Sequence, residues 1–328
     1  MAHPETWLHP RPEGLFCAPG GFFIDPVRVV DRAIITHAHS DHARAGHAAV
    51  LTRPETAALM QARLGRGRTA YQTLGWAEVL RLGDVTVWLQ PAGHVLGSAQ
   101  IVMEHAGQRA VVSGDYKRQP DRSCTAFEPI PCDVFVTEAT FGLPIFRHPG
   151  AEAEIGKLLA SVGLFPERCH RVGCYSLGKT QRLICLLRDA GWDAPIFVHP
   201  ALSAMCQVYE AFGISLGDLR PLAEAPLHGA IMLAPPSGVA GDQGDPIRVE
   251  ASGWLRVRKR ALQSRADLPL VISDHADWDG LLATITETGA PEIWITHGSE
   301  AALIHELARQ GRRGRALRLI GYGAEDGR

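Results

Sequence analysis

The stretch IITHAHSDH, residues 34–42, places three imidazoles and one carboxylate within six positions. An apolar, strand-like run comes directly before them, and histidine is the commonest metal ligand among side chains. A strand that continues into a loop and a helix lets His37 and His39 face one metal ion while Asp41 and His42 turn toward another. A lone histidine would be interpreted as a surface polar residue, but this density predicts a metal centre.

Three further candidate ligands follow apolar runs, in loops that contain glycine or serine. They are His94 in PAGH, Asp115 in SGD and His297 in THG. Each lies where a sheet presents side chains at its edge. Imidazole and carboxylate donors without a thiolate favour two catalytic divalent ions, Zn²⁺ or Mn²⁺. The predicted ligands are His37, His39 and His94 for one ion and Asp41, His42 and His297 for the other, with Asp115 bridging.

These motifs resemble the signature of the metallo-β-lactamase fold, and specifically of its β-CASP nuclease branch. The branch adds an acidic residue and two histidines, which correspond to Glu138 in TEATFG, His275 in SDHAD and His297. The stretches ITHAHSDHAR, PAGHVLGSAQ, SGDYKRQPD and TFGLPIFR are most similar to bacterial ligase-associated DNA exonucleases. The similarity covers nearly the whole chain.

The resemblance implies an α/β four-layer αββα sandwich with an inserted β-CASP-like α/β cap. A length of 328 residues favours two structural units over one. Strand-like runs dominate the chain up to Pro144, strands and helices alternate after it, and a strand-rich run returns from Leu268. The predicted domains are residues 1–143 and 267–328 for the sandwich and 144–266 for the insert.

The catalytic residues that follow from this resemblance are Asp41, Asp115, Glu138 and His275. Two metal ions would activate water and stabilise an in-line displacement at phosphorus. A histidine held by a carboxylate suits protonation of the leaving oxygen, so His275 is predicted to be a general acid that Glu138 orients. The alternative is that Glu138 supports a ligand histidine. Asp25 is expected to brace the residue 37–42 loop.

The insert contains GCYSLGKT, residues 173–180, which satisfies the P-loop pattern. An ATPase is therefore one interpretation, although the only apolar run that ends in aspartate, LVISD, already belongs to the metal site. The resemblance favours a phosphate-binding helix start instead, where backbone N–H groups and a lysine meet a nucleic-acid backbone. The predicted contacts are Ser176, Gly178, Lys179 and Thr180.

Two other regions are candidates for binding phosphates. Lys117 and Arg118 directly follow Asp115 in the sequence. Further along, Ser252, Gly253 and Trp254 precede a basic run that would contact phosphates and stack a base on the indole. The alternative for this run is an ordinary solvated helix face. The cations of the run are Arg256, Arg258, Lys259, Arg260 and Arg265.

Composition restricts the surroundings of the protein. The net charge of −2 provides no global attraction to nucleic acid, so a polyanion must be held by a local basic surface or by metal ions. The seven cysteines are odd in number and form no C-x-x-C pair, unlike a disulfide scaffold. No signal pattern and no apolar run of membrane-spanning length is present, so a cytoplasmic protein without a membrane partner is expected.

The predicted function is hydrolysis of DNA phosphodiesters from single-strand ends, in DNA repair, with an ATP-dependent DNA ligase and a helicase as partners implied by the resemblance. A β-CASP ribonuclease is the closest alternative, because RNA-processing members of that branch tend to have histidine at the position of His297. A lactam or thioester hydrolase would not need the set Glu138, His275 and His297. A non-enzymatic protein that binds nucleic acid without metal ions would not need a complete set of metal ligands.

Overall fold

The computed structural model describes residues 2–65, 67–226, 228–236 and 245–319. The chain divides into two compact units. The two ends of the sequence build one unit and the middle builds the other. Unit 1 comprises Met1–Pro120, Cys124–Pro144 and His275–Arg328, and unit 2 comprises Asp121–Ser123 and Ile145–Asp274.

The first sheet of unit 1 has six strands whose spatial order follows their order in the chain. The first three strands pair antiparallel, and the pairings from the third strand onward are parallel. The strands are β1 (Leu8–Arg11), β2 (Gly14–Cys17), β3 (Phe22–Ile24), β4 (Arg32–Ile34), β5 (Ala49–Thr52) and β6 (Ala70–Thr73).

The second sheet of unit 1 has seven strands, with four consecutive antiparallel strands on one side and parallel pairings on the other. The antiparallel strands are β7 (Leu80–Leu82), β8 (Val85–Pro91), β9 (Ala99–His105) and β10 (Gln108–Val112). The parallel pairings continue from β10 to β11 (Val134–Glu138), β18 (Glu292–Thr296) and β19 (Arg313–Ala316).

The core of unit 1 lies between its two sheets. Leu15 and Ile24 of the first sheet belong to the same buried cluster as Val87 and Ile101 of the second. The other face of the second sheet is covered by helices α6 (Trp278–Thr288) and α7 (Glu300–Arg309), and helix α1 (Pro54–Leu64) contacts β6 of the first sheet. Strand β8 alternates buried and half-buried residues, as expected for a strand with one face toward a core.

Unit 2 contains one six-stranded sheet in which every pairing is parallel. Its spatial order is β14 (Leu219–Pro221), β13 (Ile196–Val198), β15 (Ile231–Ala234), β12 (His170–Gly173), β16 (Ile247–Ala251) and β17 (Leu268–Leu270). Its helices are α2 (Ala151–Leu164), α3 (Lys179–Asp189), α4 (Pro200–Ala211) and α5 (Arg258–Gln263).

The border of unit 2 differs from the sequence-based domain border at residue 267. Strand β17 lies beyond that border, yet it hydrogen-bonds to β16 as the last strand of the parallel sheet. The sequence placed Leu268 with the returning strands because an apolar run does not reveal its partner. The amphipathic patterns near Glu152, Thr180 and Ala201 correspond to α2, α3 and α4.

The mixed α/β architecture with an inserted α/β unit agrees with the predicted fold class. None of the helices in the described part of the chain combines the length and the apolar character that crossing a membrane requires. A cytoplasmic location stays a prediction from the sequence.

Candidate metal centre

Four predicted ligands from three separate loops converge in unit 1. The potential donor atoms of His37, His39, His94 and Asp115 all lie within 4.8 Å of one another. The His39 Nδ1 atom is 3.1 Å from His37 Nε2 and 3.0 Å from His94 Nε2. Asp115 Oδ2 is 3.5 Å from His37 Nε2 and 3.8 Å from His94 Nε2. These residues follow the ends of strands β4, β8 and β10, which bring distant parts of the sequence to one place.

A second group shares Asp115. The donor atoms of His42, Asp115 and His297 also lie within 4.8 Å of one another. His42 Nε2 is 3.4 Å from Asp115 Oδ2 and 3.5 Å from Asp41 Oδ2. Asp41 therefore lies beside this group through its contact with His42. The seven residues predicted as ligands are thus brought together around one carboxylate, Asp115.

The spacing of these atoms fits divalent metal ions. Donors at about 2.0 to 2.1 Å from a tetrahedral zinc ion lie about 3.3 Å from one another, and the four distances in the first group range from 3.0 to 3.8 Å. Imidazole nitrogens and carboxylate oxygens are the donors that Zn²⁺ and Mn²⁺ accept. Both the chemistry and the spacing of the residues present therefore fit the two ions that the sequence implies.

Asp25 holds the residue 37–42 loop by three hydrogen bonds. Its Oδ1 accepts the Thr36 backbone N–H at 2.8 Å, and its Oδ2 accepts the Thr36 hydroxyl at 2.6 Å and the His42 Nδ1 proton at 2.7 Å. The Asp25 backbone has a φ of 41°, a left-handed conformation that costs free energy in a non-glycine residue. The buried Asp25 carboxylate therefore connects Thr36, before the loop, to His42 at its end.

Hydrogen bonds at Nδ1 orient three imidazole rings of the site. Because the Thr36 hydroxyl donates to Asp25, the His37 Nδ1 proton donates to Thr36 Oγ1 at 3.0 Å. Asp25 and Glu138 likewise accept the Nδ1 protons of His42 and His275. A histidine held at Nδ1 presents Nε2 to a ligand. The Nε2 atoms of His37 and His42 are the ones that approach Asp115.

Two glycines allow the site loops to approach neighbouring chain segments. Gly114, before Asp115, has a φ of 56°, and a Cβ there would lie 2.7 Å from the Thr36 Cβ. Gly298 has a φ of 80°, and a Cβ there would lie 2.0 Å from the Ala139 carbonyl oxygen. His297 itself has a φ of 58°. Left-handed backbone at adjacent positions turns the chain sharply as β18 ends, next to the metal centre.

Glu138 and His275 form a pair beside the cluster. The His275 Nδ1 atom lies 2.8 Å and 3.0 Å from the two Glu138 carboxylate oxygens, and Glu138 Oε1 also accepts the Tyr116 backbone N–H at 2.9 Å. The carboxylate is almost fully buried, whereas the imidazole keeps 12% of its surface exposed. The His275 ring lies 4.7 Å from the His94 ring, centroid to centroid. Asp115, Glu138 and His275 also form a third group of close donors.

Burial and mutual charge set the protonation states. Burial, with help from His42, lowers the pKa of His37 well below its usual range and that of His297 to about 4. Burial also opposes the charge on His42, but Asp115 and Asp41 outweigh it and raise the pKa of His42 well above its usual range. His42 holds the pKa of Asp115 well below its usual range, against the effect of burial. Neutral His37 and His297 with ionised Asp115 are the forms that bind metal ions.

The two cations after Asp115 have different surroundings. Lys117 is buried, with 3% of its surface exposed. The Arg118 guanidinium donates to both carboxylate oxygens of Glu287, at 2.7 and 2.9 Å, and lies over the Phe127 ring. Arg118 is therefore engaged by Glu287 and Phe127, and phosphate binding by Lys117 and Arg118 stays a prediction.

The P-loop-like motif forms a strand, loop and helix in unit 2, but its donors are used internally. Lys179 Nζ donates to the Ile272 carbonyl at 2.7 Å and lies 3.2 Å from Asp274 Oδ2. The Thr180 hydroxyl donates to the Tyr175 carbonyl at 2.6 Å. The Gly178 N–H donates to Gln181, whose side-chain amide donates to the Ser176 carbonyl. These contacts stabilise the loop itself, and phosphate binding by Ser176, Gly178, Lys179 and Thr180 stays a prediction.

The Ser252 to Trp254 turn also has structural contacts. The Ser252 hydroxyl accepts the Trp254 backbone N–H at 3.3 Å, and Gly253 is buried in the short 3₁₀ helix Gly253–Arg256. The Trp254 ring lies under the Arg260 guanidinium at 4.2 Å. Direct contact of Ser252, Gly253 and Trp254 with substrate stays a prediction.

Sequence reasoning missed Thr36 and Tyr116 as parts of the site. Thr36 connects Asp25 to His37, and the Tyr116 backbone N–H binds the Glu138 carboxylate. A threonine before the H-x-H motif and a residue after Asp115 were visible, but a backbone donor has no side-chain signature. Only the fold shows which backbone N–H groups point at a carboxylate.

The comparisons with known proteins now bear on this centre. Residues 25–167 match the model of the metallo-beta-lactamase superfamily. The chain carries a metallo-β-lactamase domain. The match covers Asp25, all four residues of the first ligand group and Glu138. The superfamily and the ligand groups together support a metal-dependent hydrolase.

Several curated proteins resemble the chain that carries this metallo-β-lactamase domain. A probable DNA ligase from Opitutus terrae is 29% identical over 91% of this chain and 30% of its own length. Subunit 3 of the cleavage and polyadenylation specificity factor from Dictyostelium discoideum is 26% identical over 60% of this chain and 27% of its own. Endoribonuclease YSH1 from Mycosarcoma maydis is 28% identical over 65% and 29%. The chain thus spans about a third of the length of these relatives.

Among solved structures, a protein of unknown function from Enterococcus faecalis V583 has a similar fold. It superposes with a TM-score of 0.59 and covers 89% of this chain and 80% of its own, at 15% sequence identity. At that identity the likeness concerns the fold alone. It extends well beyond residues 25–167, so the α/β metallo-β-lactamase fold class predicted from the sequence is confirmed.

Proposed function

We propose that the chain is a two-metal phosphodiesterase that shortens single-stranded DNA from an end. The observation that carries this proposal is the pair of ligand groups sharing Asp115, with the His275–Glu138 pair beside them. Two divalent ions held there, Zn²⁺ or Mn²⁺, would supply Lewis acidity for a displacement at phosphorus. The proposed ligands are His37, His39, His94, Asp41, His42, His297 and Asp115.

His275 is proposed to give a proton to the leaving oxygen from its Nε2 atom. Glu138 holds the opposite ring nitrogen at 2.8 Å and keeps the ring in one orientation. A buried carboxylate in this position also stabilises the imidazolium form that a general acid requires. His275 keeps part of its side chain exposed beside a buried Glu138, as a residue that meets a substrate requires. Lys117 is proposed to bind a substrate phosphate next to Asp115.

DNA is proposed as the substrate because the probable DNA ligase aligns with 91% of this chain. A role in DNA repair, in association with an ATP-dependent ligase and a helicase, is proposed from the resemblance of the motifs to ligase-associated exonucleases. RNA is the second candidate, because proteins named as endoribonucleases also match. The resemblance of the motifs to β-CASP nucleases adds that RNA-processing members tend to have histidine at the position of His297.

Digestion of end-labelled DNA and RNA tests the proposal. Single-stranded DNA and RNA of one sequence, labelled at either end, are incubated with Zn²⁺ or Mn²⁺ and the wild-type chain. DNA shortened progressively from one end supports the proposal, and the label that disappears first gives the polarity. Cleavage of RNA alone would mean that the chain is a ribonuclease. Hydrolysis of a thioester or lactam, with no cleavage of DNA or RNA, would contradict both the DNA and the RNA proposal.

Asp115→Ala is the matched inactive variant. We expect it to lose more than about 100-fold in rate, because removing a ligand shared by both groups exceeds the 10- to 100-fold loss typical of supporting residues. Asp31→Ala is the control, since Asp31 is an exposed aspartate outside the ligand groups. Equal activity of Asp115→Ala and Asp31→Ala would mean that the activity belongs to a contaminant or to another site.

A further inference from the structure

Residues 252–266 of unit 2 form a basic segment with five cationic side chains and no carboxylate. All five cations are exposed to solvent. The chain as a whole has a net charge of −2, so this segment departs sharply from the average. Its cations are Arg256, Arg258, Lys259, Arg260 and Arg265.

Other arginines of unit 2 have carboxylate partners. Ion pairs join Arg122 to Asp189 at 2.6 Å, Arg168 to Asp245 at 3.0 Å, Arg220 to Asp218 at 2.8 Å and Arg248 to Asp267 at 3.3 Å. Within the described residues, none of the five cations of the basic segment forms an ion pair with a carboxylate. Among the described residues of unit 2, no carboxylate pairs with the positive charge of this segment.

Local contacts hold part of this charge in place. The Arg260 guanidinium lies 4.2 Å from the centre of the Trp254 ring, and the Phe146 ring packs edge-on against the same indole at 5.2 Å. The Arg256 Nε donates to the Arg147 carbonyl at 3.0 Å. These contacts restrain two of the cations while leaving their outer N–H groups toward solvent, which reduces the entropy lost when an anion binds.

We propose that the basic segment binds the phosphate backbone of single-stranded nucleic acid, a choice of ligand that rests on the proposed function. Five exposed cations within ten positions concentrate positive charge in a short stretch, which favours contact with a chain of phosphates. Four of the five are arginines, whose planar donors suit phosphate oxygens. The arginine stacked on Trp254 adds a flat surface against which a base can pack. Only one large apolar side chain of the helix, Leu262, is strongly exposed, which is less than a membrane-binding face requires.

The salt dependence of DNA binding tests this proposal. The anisotropy of a fluorescent single-stranded DNA is titrated with the full chain carrying Asp115→Ala, which prevents cleavage. The test variant adds Arg256→Gln, Arg258→Gln and Lys259→Gln. Each phosphate contact on a single strand contributes about 0.7 to the slope of log affinity against log salt, so we expect the slope to fall by about 2 and Kd at 0.1 M salt to rise by about 100-fold.

The control removes the same charge elsewhere. Arg81→Gln, Arg220→Gln and Arg309→Gln take away three exposed arginines that each pair with a neighbouring carboxylate. We expect this variant to keep the wild-type slope, with both triple variants showing the circular dichroism and melting temperature of the parent. Equal changes in the two variants would overturn the proposal, as would loss of binding to vesicles containing phosphatidylserine with unchanged DNA binding.

The outcome can be separated from that of the proposed function. A chain that hydrolyses no nucleic acid but loses its salt slope in the test variant would contradict the proposed function and support the basic segment as a polynucleotide site. An active nuclease whose slope does not change would support the function and overturn this assignment.

Discussion

Two motifs that look equally functional in the sequence have different surroundings in the fold. Residues 34–42 and residues 173–180 both begin at the last residue of a β-strand. In the first, imidazole and carboxylate atoms from distant loops converge on Asp115. In the second, the lysine, threonine and glycine donors bind the carbonyl and carboxylate groups of unit 2 itself. Residue types name a possible chemistry, but a ligand site requires that donors from several segments face one another.

The second motif is part of a buried ion network. Asp274 Oδ2 lies 3.2 Å from Lys179 Nζ, and Asp274 Oδ1 lies 3.1 Å from the Arg182 guanidinium. Arg182 also contacts Asp121 at 3.0 Å and donates to the Ser273 carbonyl. Two cations and two carboxylates balance in charge. The lysine of the P-loop pattern therefore has a structural role here, because a buried carboxylate that loses one of its cationic partners destabilises the fold.

Replacement of His275 is expected to have the largest effect on the first region. His275→Ala removes the proposed general acid, so kcat should fall by about 10² to 10⁴-fold while the metal content stays unchanged. His94→Ala is the comparison, because His94 belongs to the first ligand group and its loss should lower the metal content itself. Metal analysis of both purified variants, with their rates on DNA, makes the distinction. Equal metal loss in the two variants would identify His275 as a ligand that Glu138 supports.

Much of this first region could be predicted from the sequence, because its candidate ligands are side chains in short motifs. The set His37, His39, His94, Asp115, His42 and His297 was visible from residue types and their position after apolar runs. The bonds of Asp25 to Thr36 and His42 span 11 and 17 positions, and no local pattern specifies their geometry. The glycine backbone at Gly298 was equally hidden, since only its neighbour Ala139 shows why a side chain cannot fit.

The fold was predictable in its elements and less so in its borders. Helices α2 to α4 follow from their apolar periodicity, which belongs to the local sequence. Strand β17 was assigned to the wrong partner sheet, because pairing with β16 depends on contacts about 20 positions away. The use of Lys179 for Asp274 involves residues 95 positions apart, so the motif could not reveal it.

Loss of the lysine should destabilise unit 2 rather than abolish nucleotide binding. Lys179→Met removes one of the cations that pair with Asp274, and we expect the free energy of unfolding to fall by about 3 kcal/mol. Lys259→Met is the control, because the Lys259 side chain is exposed and lies outside this network. Chemical denaturation measures both variants, and a thermal melt of the wild type with MgATP is expected to show no shift. A melting temperature that rises with MgATP would restore the nucleotide-binding interpretation.

A methyl group at Gly298 tests the backbone of the first region. Gly298→Ala combines a φ of 80° with a Cβ 2.0 Å from the Ala139 carbonyl oxygen, so the free energy of unfolding should fall by about 2 kcal/mol or more. Gly156→Ala is the control, since Gly156 lies inside α2 with open space around its Cβ position. There the same change should stabilise by about 0.5 to 1 kcal/mol. A neutral Gly298→Ala variant would show that the loop after β18 can move without cost.

The smallest effects are expected from replacing one threonine by valine in each of the two motifs. Thr180→Val removes a buried hydroxyl that donates to the Tyr175 carbonyl, which should cost about 1 kcal/mol and leave the rate on DNA unchanged. Thr36→Val removes the hydroxyl between Asp25 and His37, so it should lower both stability and rate, because the His37 ring loses the acceptor that fixes its Nδ1 proton. Chemical denaturation gives the free energy of unfolding of each variant, and initial rates give its activity on DNA. A rate loss in Thr180→Val equal to that in Thr36→Val would mean that the two motifs serve one site, and their opposite roles would have to be abandoned.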